Sequence, residues 1–291
     1  MNNLTRSLAA LSVGLSFICM AAAQDQSQGS ASIPKVMQIT REFTKPGKAG
    51  MIHDQKESAF VQAMARAKWP THYLGMTSLS GKQRALFLTS YASLEAWEKD
   101  AAAVANNSTL STALDRAGMA DGELLDTIDQ AVYLFREDMS LRPRSDLSPM
   151  RFMEVSVYHV RPGHNKDWAE LVKMVQAAYN KAIPDAHWGC FELVYGGDGG
   201  TYIFFTGRKS LAEVDRARED DKKFSDAMGE DGMKKLSELV AASVESSQHQ
   251  LFQINPRMSY VADDWIKADP AFWKPKAAAA PATSDEKKSK P

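Results

Sequence analysis

The chain has 291 residues, with 35 Lys and Arg against 36 Asp and Glu, and is 44% hydrophobic and 24% charged. That balance is globular rather than disordered, and the near-zero charge supplies no general field for nucleic acid or an anionic membrane. Two cysteines, Cys19 and Cys190, are too few for a disulfide scaffold.

Residues 1–23 read as a secretory signal. Arg6 supplies the positive charge, Leu8 to Met20 the short apolar stretch, and Ala21-Ala22-Ala23 the small-residue cleavage pattern. The expectation is cleavage near Ala23 and a periplasmic or secreted mature chain without a membrane span, retaining Cys190 alone. A lipoprotein reading at Cys19 lacks small residues at Ser16-Phe17-Ile18. Residues 24–34 form a polar linker. Residues 274–291 are a Pro/Ala/Lys tail with no apolar face to bury, for which disorder is expected.

Between them one pattern is written twice, over residues 35–143 and 150–260. The runs that start at Val36 and Phe152 are strand-like and are closed by the turns Pro46-Gly47 and Pro162-Gly163. A helix follows each. Ile52, Ala59, Phe60, Ala63, Met64 and Ala67 make one stripe, and Trp168, Leu171, Val172, Val175, Ala178, Tyr179 and Ala182 the other. Two strands joined by a hairpin come next, through Ser80-Gly81-Lys82 and through Gly196 to Gly200. Helical regions opened by Ser93 and Ser210 as N-caps follow, and then a last strand. The offset between copies stays within 114 to 117 residues. Each copy is therefore β-α-β-β-α-β, the ferredoxin-like unit, and the fold class is α+β. Residues 261–273, with Trp265, Phe272 and Trp273, are expected to dock on the body as a C-terminal clasp.

A four-stranded sheet with helices on one side leaves its other face bare, so two copies are expected to close those faces together as an internal pseudo-dimeric α/β barrel. The strand–Pro-Gly–helix openings, Thr44-Lys45-Pro46-Gly47 and Val160-Arg161-Pro162-Gly163-His164, resemble those of the dimeric α/β-barrel superfamily. It includes antibiotic-biosynthesis monooxygenases, EthD-like and NIPSNAP-like proteins, and the haem-binding chlorite dismutase and dye-decolourising peroxidase groups. Strand alternation puts Met37, Ile39 and Phe43, with Met153, Val155 and His159, on the more apolar side, expected to meet the helices. Gln38, Thr40 and Glu42, with Glu154, Ser156 and Tyr158, fall on the other side. They read either as a hydrogen-bonded surface or as a polar lining of the barrel that orients a ligand.

The resemblance implies a small-molecule cavity inside the barrel. Its candidate ligand-binding residues are Gln38, Thr40, Glu42, Arg136, Ser156, Tyr158 and Trp188. In a cofactor-independent monooxygenase the catalytic candidates would be His72, Glu154 and Glu192. His53 and His164, at helix starts, are expected to be exposed, and no pair of histidines has metal-ligand spacing, so no metal and no cofactor are expected. Haem would need an axial ligand such as His249 or His187, neither in a matching motif. Cys190 reads as a buried apolar residue. Three readings stay open: an exported small-molecule-binding protein, a monooxygenase of small aromatic or phenolic substrates, and a structural barrel with a filled interior. The expected partner is a small molecule, without nucleic acid; association into a homo-oligomer is left open.

Overall fold

The computed structural model describes residues 33–274. The signal segment 1–23, nearly all of the linker 24–34 and nearly all of the tail 274–291 lie outside the described residues. No described helix is long and apolar enough to cross a membrane.

The first half runs β1 (Val36–Thr44), α1 (Met51–Ala67), β2 (Tyr73–Ser78), β3 (Arg84–Tyr91), α2 (Leu94–Asn106), α3 (Ser108–Gly122) and β4 (Leu125–Phe135). The second runs β5 (Phe152–Val160), α4 (Asn165–Ala182), β6 (Gly189–Tyr195), β7 (Thr201–Arg208), α5 (Leu211–Ser243) and β8 (Val244–Ile254). Two short helices, α6 (Asp263–Ala268) and α7 (Pro270–Trp273), close the described chain. Ser93 caps α2 by accepting the Ala96 amide, and Asn107 both ends α2 and caps α3 through Leu110. In the second half the corresponding stretch is one helical segment, broken only at Gly229, whose φ of 70° is outside the helical range.

The strands form a closed antiparallel barrel in the order β1-β3-β2-β8-β5-β7-β6-β4. Each half contributes four adjacent strands. The seams are β2 with β8, pairing Met76–Ser78 with Ile254–Phe252, and β4 with β6, pairing Val132–Phe135 with Tyr195–Phe191. Every strand contributes to one buried cluster on the barrel axis, including Met37 and Ile39 from β1, Met153 and Val155 from β5, and Phe252 and Ile254 from β8. Small closed barrels are filled by their inward side chains, and this one follows that rule.

The facing expected from strand alternation is therefore reversed. The apolar side, Met37 and Ile39 with Met153 and Val155, points into the barrel and is buried there. Glu42 turns outward to His53 of α1, and Tyr158 outward to Trp168 of α4. With them, by alternation, go Gln38, Thr40, Glu154 and Ser156. The stripe read on α1 fails in part: its Ala63 is buried, but Ile52 is exposed, and the other buried residues of the helix are His53 and Glu57.

The C-terminal segment packs on the barrel core through Trp265, Ile266, Phe272 and Trp273. Trp273 is buried, donates its indole N–H to the Ser148 carbonyl at 3.1 Å, and lies beside the Arg151–Asp269 ion pair. Just before it, residues 255–260 cross the outer face of β2, where Tyr73 and Tyr260 exchange backbone hydrogen bonds. That crossing is so close at Gly75 that a Cβ there would lie 2.4 Å from the Met258 carbonyl oxygen.

Candidate functional site

Between the sheet and helices of the first half lies a buried polar cluster. Glu42 comes from β1, His53 and Glu57 from successive turns of α1, and Asp121 from the last turn of α3. One ligating atom of each lies within 4.8 Å of all the others. The imidazole Nε2 of His53 is 3.3 Å from a carboxylate oxygen of Glu42 and 3.3 Å from one of Asp121. Neither approach is well directed, so His53 Nε2, Glu42 Oε2, Glu57 Oε1 and Asp121 Oδ1 are all buried without a hydrogen-bond partner in the described structure. The Tyr73 hydroxyl and Thr44 Oγ1 share that condition.

This is an expensive arrangement. Each buried polar atom left unsatisfied costs about 1–3 kcal/mol, and more if it is charged. Asp121 additionally sits at the C-terminal end of α3, where the helix dipole disfavours a negative charge. Burial pushes the Glu57 carboxyl up to about 9, and the charges of Glu42 and Asp121 push the same way. Burial likewise raises Glu42 against the opposing contact with His53. For His53 burial alone would lower the pKa, but Asp121, Glu42 and the charge of Glu57 outweigh it and carry the imidazole up to about 10. Burial, then the charges of Glu57 and Glu42, raises the Tyr73 phenol. The cluster thus favours the uptake of positive charge.

The second half shows what the same position holds by default. The buried residues His53, Glu57 and Ala63 of α1 correspond to Trp168, Val172 and Ala178 of α4, each 115 residues later. Glu42 corresponds to Tyr158. Trp168 and Val172 belong, with Cys190, Tyr202 and Leu239, to an apolar cluster against which Tyr158 packs. One half fills its sheet–helix space with aromatic and aliphatic side chains, and the other with three carboxylates and an imidazole.

A surface cleft of about 440 Å³ counts one member of the polar cluster, His53, in its lining. Gly50 and Asp54 at the start of α1, Thr77 of β2, Arg84 of β3, and Asn255 and Arg257 beyond β8 form its walls. Gly50, at φ 77°, sets the angle at which α1 starts. Asn255 donates to Asp54 at 2.9 Å, tying the 255–260 crossing to α1.

The residues singled out from sequence are dispersed, because the face they share lies against several separate helices and loops. His72 stacks on Tyr260 with ring centroids 4.8 Å apart, and burial lowers its pKa. Glu154 is bound to Arg208 at 2.6 Å. Arg136 and Glu192 do meet, at 2.5 Å, but Arg136 is also held by Asp138, and Glu192 accepts from Tyr202. Trp188 donates to the Met139 carbonyl, Ser156 contacts His249, and the Gln130 amide donates to Thr40. Of the ten, only Glu42 belongs to the cluster. His53, expected to be exposed, is 1% exposed; His164 does lie near the surface, beside Asp167. Cys190 is buried, and burial pushes its thiol pKa up.

No protein-family model matches the chain, and no curated protein matches it. Solved structures do. A proposed monooxygenase from Fusobacterium nucleatum superposes with a TM-score of 0.52 at 13% identity, over 76% of this chain and 92% of its own. An anthrone oxidase-like protein gives 0.48 at 13% identity, over 78% and 93%. A chlorite dismutase from Candidatus Nitrospira defluvii gives 0.43 at 11%, over 81% and 96%. Likeness at such identities is a likeness of fold. The chain has the dimeric α/β-barrel fold, with both halves of the barrel supplied by one polypeptide.

Proposed function

We propose that this protein binds a small anionic molecule in the cleft at the start of α1, outside the barrel rather than within it. The observation that carries the reading is the cleft's composition: the exposed Arg257, Arg84, whose guanidinium is also bonded to Gln250 and the Lys82 carbonyl, and His53 all line it. Arg84 also stacks near the Phe43 and Phe252 rings, at 5.5 and 5.3 Å from their centroids, so an aromatic carboxylate or phenolate suits this wall. The filled barrel axis supports moving the ligand from the interior to this cleft. Calorimetric titration with a panel of aromatic acids and phenols tests it. Arg257→Ser should weaken binding at least about tenfold without changing thermal stability; equal affinity in wild type and variant would refute the site. Native mass spectrometry of protein purified from its own host identifies what is carried.

A second reading, an oxidoreductase using the same cleft, is favoured by the fold-level likeness to a proposed monooxygenase. In that reading His53, held protonated by its carboxylates, serves as a proton donor rather than a base near neutral pH. Oxygen consumption with phenolic and quinol substrates, lost in His53→Gln, is the expected result; consumption unchanged in that variant overturns it. Export, the remaining part of the proposal, predicts a mature chain beginning near Gln24 in the periplasm or medium, read by N-terminal sequencing of the fractionated protein.

A further inference from the structure

We propose that Glu42, His53, Glu57 and Asp121 form a binding site for a divalent first-row cation of the Mn²⁺, Fe²⁺ or Zn²⁺ kind. The donor set is one imidazole nitrogen and three carboxylates, which suits borderline and hard divalent ions and not Cu(I). The four atoms have the right spread. Metal–ligand bonds of about 2.1 Å place neighbouring ligands of a tetrahedral site about 3.4 Å apart. The two 3.3 Å separations from His53 Nε2 match that edge. Even the widest separation, no more than 4.8 Å, is within the reach of a carboxylate rotation.

A cluster of acids alone would not make a site. Here the fourth member is a histidine, 1% exposed, whose Nε2 has no hydrogen-bond partner and points among the carboxylates. One cation would satisfy all four orphaned atoms together. The second half is an internal control. The same fold, at the same positions, is completed with Trp168 and Val172, so nothing in the architecture requires polar groups there. Of the four, His53 also helps to line the 440 Å³ cleft. The Tyr73 hydroxyl, close enough to feel the charges of Glu57 and Glu42, is likewise buried and unpartnered.

The site shares His53 with the cleft of the anion reading above but rests on different observations, and the test keeps the two separable. Full-length protein freed of metal by chelation is titrated with Mn²⁺, Zn²⁺ and Co²⁺ and no organic ligand, beside Glu57→Gln and Asp121→Asn, which keep side-chain shape. Wild type should take up one cation per chain, and each variant should bind at least about tenfold more weakly while keeping its circular dichroism. Co²⁺ should show the intense visible bands of a low-coordinate site in wild type, weakened in both variants. Equal affinities in wild type and variants, or a Co²⁺ spectrum like that of the aqueous ion, would overturn the proposal and leave a core held together by shared protons. Aromatic-acid binding measured on Glu57→Gln reports the cleft independently, so either site can fail alone.

Discussion

Replacing Glu57 with valine should stabilise the metal-free protein and destabilise it relative to wild type once a cation is present. Glu57 is 3% exposed, its Oε1 has no partner, and it shares the space with Glu42 and Asp121. Removing an unsatisfied buried carboxyl relieves about 1–3 kcal/mol. Valine in a helix gives back a few tenths to about 0.7 kcal/mol. Its fit in this space is precedented by Val172, buried at the matching position of α4. The net gain is about 1–2 kcal/mol in chelator, a rise of about 2–8 °C in Tm for a domain of this size. With cation at a hundred times its Kd, wild type gains about 2.7 kcal/mol, and the order of the two proteins reverses. Thermal melts followed by circular dichroism, in chelator and then in Mn²⁺ or Zn²⁺, read both halves of the prediction. A Glu57→Val protein that melts below wild type in chelator would mean the carboxyl has a structural partner, and the reasoning from orphaned atoms would fall.

Chelated wild type should lose stability as pH rises. The folded Glu57 carboxyl keeps its proton to about 9 where the unfolded one releases it near 4.5, and His53 stays protonated to about 10 instead of 6.5. In both cases the native state binds more protons, so stability falls from mildly acidic pH toward pH 10; urea midpoints that rise or stay level from pH 6 to 9 would contradict it. Glu154→Ala should cost about 1–3 kcal/mol by leaving the half-buried Arg208 guanidinium without its carboxylate, with aromatic-acid affinity unchanged by calorimetry. Trp273→Ala should cost about 3–5 kcal/mol in urea melts, since the indole is 5% exposed in the barrel cluster and its N–H is bonded to Ser148. Gly75→Ala should lower stability by about 1–3 kcal/mol or more, because its Cβ would collide with backbone at Met258.

The tandem β-α-β-β-α-β organisation was legible because it rests on local signals repeated at one offset: strand runs closed by Pro-Gly, helical stripes, and Ser93 as a cap. Which strand face turned inward was not. Alternation in β1 separates Met37 and Ile39 from Gln38, Thr40 and Glu42, but period two assigns no direction. The direction is settled by barrel closure, a contact between residues more than a hundred positions apart, as in Met76 with Ile254. Assigning the apolar side to the helices scattered the candidate residues among separate ion pairs, Glu154 with Arg208 and Glu192 with Arg136. The signal for the actual cluster was present in α1. His53 and Glu57 are four apart, on one helix face. A search for pairs of histidines passes over a histidine paired with a carboxylate, and Asp121 enters only through the packing of α3 on α1.

The two halves also differ in what their sheet–helix space contributes. In the second, Tyr158, Trp168 and Tyr202 interlock, with ring centroids 5.2 and 5.3 Å from Trp168, and burial of such rings is the ordinary source of stability. In the first, the equivalent volume holds groups that raise one another's free energy unless something positive is shared among them. A chain that carries two copies of one unit is free to let one copy hold the barrel together while the other tolerates a costly interior. The shared seams make that division workable: β2 is zipped to β8 and β4 to β6, so packing in the second half bears on both. The polar cluster lies in the half that the other supports, where a costly interior burdens the barrel least, and the cleft beside it is walled by both that half and the segment beyond β8.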